Sequence, residues 1–320
     1  MTKEKWRPTA SLKTLQLRAR MLSRIRAFFA ARDVMEVETP ALSHTAITDP
    51  NLASFSVATA CGDRYLHTSP EFPMKRLLAA GSEDIYQICK VFRVDEAGRY
   101  HNPEFSMLEW YRLGFDHLAL IDEVEDLLQR VCEGLKDIMP AKRLTYHNAF
   151  IEYAGLDIVS ANAADYEAGA ARHGIEMRVD LTFQQWQDLI MSHVVVPTCA
   201  RDGFTFIYDF PTDQAALARI RPGDPPVAER FELIGYGLEL ANGFHELVDP
   251  NEQRERFERE LQVRQAFGLP CPPLDECLLA ALSRGLPDCA GIALGLDRLV
   301  MLTAGLGQIS EAMAFSWENA

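Results

Sequence analysis

Residues 92–115, FRVDEAGRYHNPEFSMLEWYRLGF, constrain the fold more than any other stretch of the chain. The flanking runs DIYQICKVFRVD and EFSMLEWYRL are rich in aromatic and β-branched residues that alternate with polar ones, which is typical of strands. The residues between them are polar and include Arg99, His101 and Asn102. The pattern therefore predicts two adjacent strands joined by a basic loop.

Alternation along a strand places every second side chain on one face. On these two strands the residues that share a face are Phe105, Met107, Glu109 and Tyr111, and Val91, Arg93 and Asp95. A carboxylate such as Glu109 among aromatic side chains is costly unless a cation or a hydrogen-bond donor meets it. The arrangement predicts a pocket for a cationic group, and the alternative is an exposed hairpin with a charged tip.

A second strand pair, RFELIGYGLELANGFHEL, is predicted to bend at residues 235–237. Glu232 and Glu239 flank this bend, and the side chains expected to alternate along one face of the following strand are Leu240, Asn242, Phe244 and Glu246. Three neighbouring carboxylates repel one another unless a metal ion or an ammonium group lies among them. The alternative is a solvated, acidic sheet face.

The stretch GIALGLDRLVM predicts a strand that ends at Gly295 and a helix that contains Arg298. Such junctions can bind phosphate, although close backbone packing also explains their glycines.

Helical periodicity elsewhere predicts amphipathic helices at 17–32, 116–138, 250–267 and 274–284, and a helix after Ser69, its expected N-cap, that stops at Gly81. Residues 145–200 read as a helical, loop-rich support layer. Several strands adjoin through turns, so the expected class is α+β, with a mostly antiparallel sheet flanked by helices.

Charge and cysteine content exclude several classes of protein. The formal net charge of -14 argues against a broad nucleic-acid surface, because phosphate binding needs basic residues. The seven cysteines are scattered and never spaced C-x-x-C, which favours reduced thiols. The sequence has no apolar run long enough for a membrane span, so we expect a cytoplasmic protein without a membrane partner.

Taken in order, TPAL, FRVD with RYHNPEF and MLEWY, and GLDRLV resemble motifs 1, 2 and 3 of the class II aminoacyl-tRNA synthetases, most closely the lysyl branch. The stretches GRYHNPEFSMLEWYR and ELANGFHEL resemble the short lysyl-synthetase paralogues that ligate (R)-β-lysine to elongation factor P. The resemblance spans residues 17 to 315. It implies a single class II catalytic domain over residues 1–320, without an N-terminal anticodon-binding OB domain, and a homodimer formed through motif 1.

By resemblance, the enzyme activates (R)-β-lysine with ATP and Mg²⁺ and transfers it to a lysine side chain of elongation factor P, without tRNA. Arg93 and Arg298 are the implied catalytic residues. The implied ATP-binding set is Arg93, Asp95, His101, Asn102, Phe105, Glu239, Leu240, Gly295 and Arg298, and the implied Mg²⁺ carboxylates are Glu232 and Glu239. The implied substrate-binding set is Ser69, Glu71, Glu109, Tyr111, Asn242, Glu246 and Ala293. The family usually has Glu at the position of Asp95, which puts the role of this residue in doubt.

Three other functions compete with this one. A truncated lysyl-tRNA synthetase is opposed by the acidic charge, since tRNA binding needs a basic surface. An amide-forming enzyme of the asparagine synthetase type is a second alternative. The carboxylates of Glu109 and Glu246 in the expected pocket favour a cationic amino acid as substrate instead. A catalytically inactive regulatory paralogue is expected to lose charged site residues, whereas Arg93, Glu232, Glu239 and Arg298 are all present.

Overall fold

The structure is a computed structural model that describes residues 6–94, 96–176, 181–199, 201 and 203–320. Its α-helices are α1 (Leu12–Ala30), α2 (Glu71–Ala79), α3 (His117–Cys132), α4 (Tyr146–Ala154), α5 (Ala163–Arg172), α6 (Phe183–Ile190), α7 (Val196–Cys199), α8 (Pro250–Ala266), α9 (Glu276–Gly285) and α10 (Leu296–Ala304). A π-helical turn at Met191–Val195 joins α6 to α7, and short 3-10 turns occupy Thr212–Gln214 and Ile309–Ala312.

The strands are β1 (Met35–Glu36), β2 (Leu42–Ser43), β3 (Ser56–Thr59), β4 (Gly62–Leu66), β5 (Ile85–Phe92), β6 (Glu104–Leu113), β7 (Lys142–Thr145), β8 (Phe204–Phe210), β9 (Ile220–Arg221), β10 (Val227–Gly235), β11 (Leu238–His245) and β12 (Cys289–Gly295). Only β1 with β5 and β7 with β8 pair in parallel among the strand pairs that are described. The expected α+β class with a mostly antiparallel sheet is confirmed.

The first of two compact units comprises Met1–Phe115, Asp126–Asp137 and Val248–Ala320. Its larger group of strands runs in the order β1-β5-β6-β12, and β2, β4 and β3 form a separate small sheet. Helix α1 covers one face, where Phe29 stacks on Tyr86 and meets the edge of Trp110. All three rings are buried, so this aromatic cluster fixes α1 against β5 and β6.

The second unit comprises Asp116–Glu125 and Ile138–Leu247. Its strands run in the order β11-β10-β8-β7, with β9 beside β10. Helix α4 packs on this sheet through Tyr146, which stacks on Phe150 and contacts Phe210. Residues 145–200 supply helices α4 to α7, as expected for a support layer.

Several element boundaries differ from the expectations. The helix expected over 116–138 ends at Cys132, ahead of Gly134, whose φ of 63° a helix cannot contain. The loop RPGDPPVAE holds part of β9 and the start of β10. Ser69 is not the N-cap of α2, because Pro70 occupies that position, yet the Ser69 hydroxyl accepts a hydrogen bond from the Glu71 N–H.

The helices of the described ranges include no segment long and apolar enough to cross a membrane. All seven cysteines are free thiols, as expected.

Candidate active site

Glu109 lies at the centre of the sheet of the first unit, on β6. Its cross-strand neighbours are Gln87 on β5 and Ala293 on β12, and directly paired residues share a face. Glu109 is 2% exposed and accepts hydrogen bonds from the Tyr111 hydroxyl at 2.8 Å and the Ser69 hydroxyl at 2.6 Å. The carboxylate expected among aromatic residues is therefore buried and oriented by two donors.

The loop before α2 connects this carboxylate to a second one. The Ser69 hydroxyl donates to Glu109 while its oxygen accepts from the Glu71 N–H at 3.0 Å. Glu71 forms an ion pair with the buried Lys75 at 2.6 Å, one helical turn later. Lys75 was not foreseen from the sequence, although an i, i+4 Glu–Lys spacing on α2 is a visible signal for such a pair.

Arg93 directly follows β5 and is half-buried. Its guanidinium lies 5.1 Å from the centre of the Phe105 ring, and its Nη1 is 3.5 Å from the Glu96 carboxylate. The Arg93 Nε is buried and has no hydrogen-bond partner among the described residues. A buried guanidinium N–H without an acceptor suits an anionic ligand oxygen, since leaving such a donor unsatisfied is costly.

The loop between β5 and β6 is held by side chains that form hydrogen bonds with backbone groups. The Asn102 side chain donates to the Glu104 carbonyl at 2.6 Å and accepts from the Trp317 N–H at 3.0 Å. Arg99 donates to the Gly307 carbonyl at 2.8 Å, and His101 pairs with Gly98. Asn102 thus shapes the loop, whereas the implied contact with adenosine stays a prediction. Asp95 lies outside the described residues.

Helix α10 is anchored by the acidic residue in its first turn. Asp297 is 1% exposed, accepts from the Ser106 N–H at 2.6 Å and forms an ion pair with Arg18 of α1. Its neighbour Arg298 is half-buried and donates to the Tyr100 carbonyl at 3.3 Å. The Asp297 anchor fixes the start of α10 and so places Arg298 beside the loop that also carries His101. The Arg18–Asp297 pair, 279 residues apart, leaves no local signal in the sequence.

In the second unit, Glu232 of β10 lies directly opposite Asn242 of β11. Arg230 fixes both side chains, donating to the Glu232 carboxylate at 2.5 Å and to the Asn242 side-chain oxygen at 3.2 Å. The same guanidinium contacts the Phe210 ring at 4.5 Å. Arg230 was missed from the sequence, although it lies two residues from Glu232 on the same strand face.

The two strands are joined by a tight turn at Tyr236 and Gly237, which have φ values of 52° and 75°. Positive φ at both central residues is typical of a two-residue hairpin turn, and glycine adopts it without strain. The predicted bend at residues 235–237 is confirmed.

A register shift between Leu233 and Ile234 corrects the expected alternation on β11. Ala241 pairs with Leu233 and Glu239 pairs with Ile234, so Leu240 is an extra residue, a β-bulge. Consequently Glu239, and not Leu240, shares the face of Glu232 and Asn242. The prediction that Leu240 alternates with Asn242 was wrong, because simple alternation fails across a bulge.

Burial raises the pKa of Glu232 to about 7, and the nearby charge of Glu239 adds to this effect, while Arg230 opposes it. The ionised form of such a carboxylate is destabilised by its surroundings, and a cation that binds beside it stabilises that form. Carboxylate and amide oxygens are the donors that Mg²⁺ prefers. The set Glu232, Glu239 and Asn242 therefore fits a Mg²⁺ ion.

Glu246 follows β11, pairs with Ala218 and is 1% exposed. Beside it lies a network of ion pairs and hydrogen bonds that was not foreseen. It comprises His117, Asp209, Arg221, Glu229 and His245. Two histidines and Glu229 lie close enough to hold a metal ion, but Arg221 already forms ion pairs with both carboxylates of the network. We assign this network a structural role.

The structure thus brings the candidate residues together in two groups, one in each unit. In the first group, Glu109 accepts hydrogen bonds from the hydroxyls of Ser69 and Tyr111, and Ala293 pairs with Glu109 on the neighbouring strand. In the second, Glu232, Glu239 and Asn242 share one sheet face.

Comparisons with known proteins match this chain over its length. The family model described as tRNA synthetases class II (D, K and N) matches residues 4–319. A Haemophilus ducreyi protein named "Elongation factor P--(R)-beta-lysine ligase" is 48% identical, over 100% of this chain and 98% of the relative. Proteins of the same name are 48% identical in Vibrio cholerae, over 100% of both chains, and 47% identical in Pasteurella multocida, over 99% of both.

Proposed function

The chain belongs to the class II tRNA synthetases of the D, K and N type, and we propose that it ligates (R)-β-lysine to elongation factor P. The observation that carries this proposal is the name shared by relatives that are 47–48% identical over their full length. The buried Glu109 carboxylate, oriented by Ser69 and Tyr111, supports a cationic amino acid as substrate. We propose that residues 1–320 act as one catalytic domain.

In the first half-reaction the carboxylate of the amino acid attacks the α-phosphorus of ATP and pyrophosphate leaves. Negative charge that builds on the phosphate oxygens must be met by fixed donors. We assign this role to Arg93 and Arg298, with Phe105 stacked on the adenine, His101 near the phosphates and Asn102 beside the adenosine. Gly295 lets the nucleotide approach the backbone, and Leu240 lines the ATP site.

Glu232 and Glu239 would hold Mg²⁺, which supplies positive charge to the phosphate oxygens when it is bound. Arg230 orients the Glu232 carboxylate and Asn242 for this task.

The amino acid is held through its two ammonium groups. We propose that Glu246 and Glu109, with Tyr111, bind the ε-ammonium, and that Glu71, positioned by Ser69, binds the other. Burial of Glu246 and Glu109 strengthens such ion pairs, because the local dielectric is low. Ala293 faces the same side of the sheet as Glu109 and is assigned to the same pocket.

Mass spectrometry of elongation factor P tests the proposed function. After incubation with the enzyme, ATP and (R)-β-lysine, we expect one lysine of the factor to gain a β-lysyl group. The control replaces ATP with a non-hydrolysable analogue. A protein that forms the adenylate but charges tRNA-Lys faster than it modifies the factor would be a lysyl-tRNA synthetase instead.

Two further expectations from the family remain proposals. We propose a homodimer formed through the TPAL region that follows α1, and a cytoplasmic location. Sedimentation analysis at several protein concentrations tests the first, and the distribution of a tagged chain between soluble and membrane fractions tests the second.

A further inference from the structure

Gln87 is a buried amide that belongs to neither group of candidate residues. It lies on β5 directly opposite Glu109 of β6, and directly paired residues share a sheet face. On the other side of Glu109 the same face continues to Ala293 of β12. Gln87 is 2% exposed, so its amide is shielded from bulk water beside the carboxylate that we assign to the amino-acid pocket.

The side-chain oxygen of Gln87 is buried and accepts no hydrogen bond from the described part of the chain. A buried amide oxygen without a donor is costly, because folding has removed its hydrogen bonds to water. The hydroxyls of Ser69 and Tyr111 each carry one hydrogen, and both donate it to Glu109. Neither hydroxyl can donate to Gln87 at the same time, so this face of the sheet retains an unused acceptor.

The orientation of the amide is indicated by Cys89, which lies two residues further along β5 and therefore on the same face. Burial raises the pKa of the Cys89 thiol to about 12 and the charge of Glu109 adds to the rise, while a hydrogen bond with Gln87 opposes it. A hydrogen bond lowers the pKa of a thiol when it is donated to the sulfur. The NH₂ group of Gln87 is therefore directed at Cys89, and the oxygen is the end that remains.

We propose that the Gln87 side-chain oxygen accepts a hydrogen bond from the substrate ammonium group that Glu109 binds, an inference that rests on the proposed function. An ammonium group brings three N–H donors and no acceptor, so one carboxylate does not satisfy it in a buried site. Glu109 supplies the charge, and the neutral amide supplies a further acceptor without a second negative charge directly opposite the first. Gln87 is then a specificity residue, because an amino acid that lacks this ammonium leaves the Gln87 oxygen unpaired.

Gln87→Met tests the proposal, because methionine has nearly the same length and shape but no strong acceptor. We expect kcat/KM for (R)-β-lysine in pyrophosphate exchange to fall about tenfold or more, as for a lost hydrogen bond to a charged group. The KM for ATP should change less than about twofold. (R)-3-Aminohexanoic acid, which is (R)-β-lysine without its terminal ammonium, should compete for the variant at least as tightly as for the wild type.

Two further variants distinguish a lost acceptor from a disturbed core. Gln87→Glu retains an acceptor at this position and should use (R)-β-lysine several times better than Gln87→Met does. The matched control is Gln187→Met, which removes a buried amide of α6 whose partners are Tyr166 and Gln214. This control should keep the wild-type preference for (R)-β-lysine over (R)-3-aminohexanoic acid. A thermal melt measures how far each variant is destabilised.

The outcomes separate this proposal from the proposed function. Equal losses for (R)-β-lysine and (R)-3-aminohexanoic acid in Gln87→Met would assign Gln87 to the core and overturn the proposal. Unchanged use of (R)-β-lysine in Gln87→Met, or failure of Gln87→Glu to exceed that variant, would also overturn it. Absence of pyrophosphate exchange with (R)-β-lysine in the wild type would refute the proposed function instead.

Discussion

Ala293 lies directly opposite Glu109 in the ladder between β12 and β6, so its methyl group shares a sheet face with the buried carboxylate. The family resemblance assigns both residues to the amino-acid pocket. We propose that a methyl group at this position occupies space that the α-amino group of ordinary lysine needs, whereas a β-amino acid carries its amine one carbon further along.

We therefore expect Ala293→Gly to raise the kcat/KM for α-lysine relative to (R)-β-lysine by about tenfold, because a methyl-sized change in a pocket alters discrimination by about 1–3 kcal/mol. The measurement is pyrophosphate exchange with each isomer. Ala290→Gly is the matched control, since Ala290 lies on the same strand, opposite Arg112, and faces the other side of the sheet. An unchanged ratio in Ala293→Gly would place the selectivity elsewhere, for example near Glu71.

Substitution of either candidate catalytic arginine should abolish adenylate formation. Arg93→Ala and Arg298→Ala each remove a cation that faces phosphate oxygens only when ATP is bound, and loss of one such contact costs about a hundredfold or more in rate. Pyrophosphate exchange measures the effect. The control is Arg20→Ala, an exposed arginine on α1. Near-normal exchange in either variant would reject the corresponding assignment.

Glu246→Gln should impair use of the amino acid more than ATP binding. The variant leaves a substrate ammonium without its charge partner in a buried site, which costs on the order of 2–5 kcal/mol. We expect the KM for (R)-β-lysine to rise at least thirtyfold and the KM for ATP to change less than threefold. Glu255→Gln, on the exposed surface of α8, is the control. Equal losses for both substrates would assign Glu246 to the metal site.

The raised pKa of Glu232 predicts how stability depends on pH when no divalent cation is present. Folding raises this pKa from about 4.5 to about 7, so the folded state binds more protons than the unfolded state between these values. The stabilisation is fully present below pH 4.5 and is lost as pH rises through 7, on the order of 3 kcal/mol in total.

Urea unfolding in EDTA at pH 5 and pH 7.5 measures this loss. Glu232→Gln should reduce the pH dependence but not remove it, because burial also raises the pKa of Glu260 to about 7. Glu239→Gln should lower the pKa of Glu232 by removing a like charge and so reduce the slope in part. Identical slopes in wild type and Glu232→Gln would contradict the assignment.

Sequence patterns predicted those features whose signals are local. The alternation of apolar and polar residues over 85–113 predicted β5, β6 and the face shared by Glu109 and Tyr111. This pattern can be read locally because the side chains of a strand alternate between its two faces. The turn at Tyr236 and Gly237 was visible for the same reason.

Features that depend on residues distant in the chain could not be predicted. Arg18 and Asp297 come together only after α1 and α10 have packed, and no sequence pattern near either residue indicates its partner. The network around Arg221 likewise joins residues from 117 to 245. Lys75 and Arg230 are different cases, because their partners are close in the sequence. Lys75 lies one helical turn after Glu71, and Arg230 lies two strand positions before Glu232, so the spacing alone could have predicted both ion pairs.

The extra residue at Leu240 lets two side chains at an odd spacing share one face of β11. Glu239 and Asn242 lie three positions apart, and in a regular strand that spacing places side chains on opposite faces. The bulge absorbs one residue, so Glu239 pairs with Ile234 and lies on the face of Glu232 and Asn242. A homologue that keeps both glutamates and the same chain length but pairs these strands without the bulge should therefore have its two acidic side chains on opposite faces, whereas a homologue that lacks one residue between Glu239 and Asn242 should keep them together.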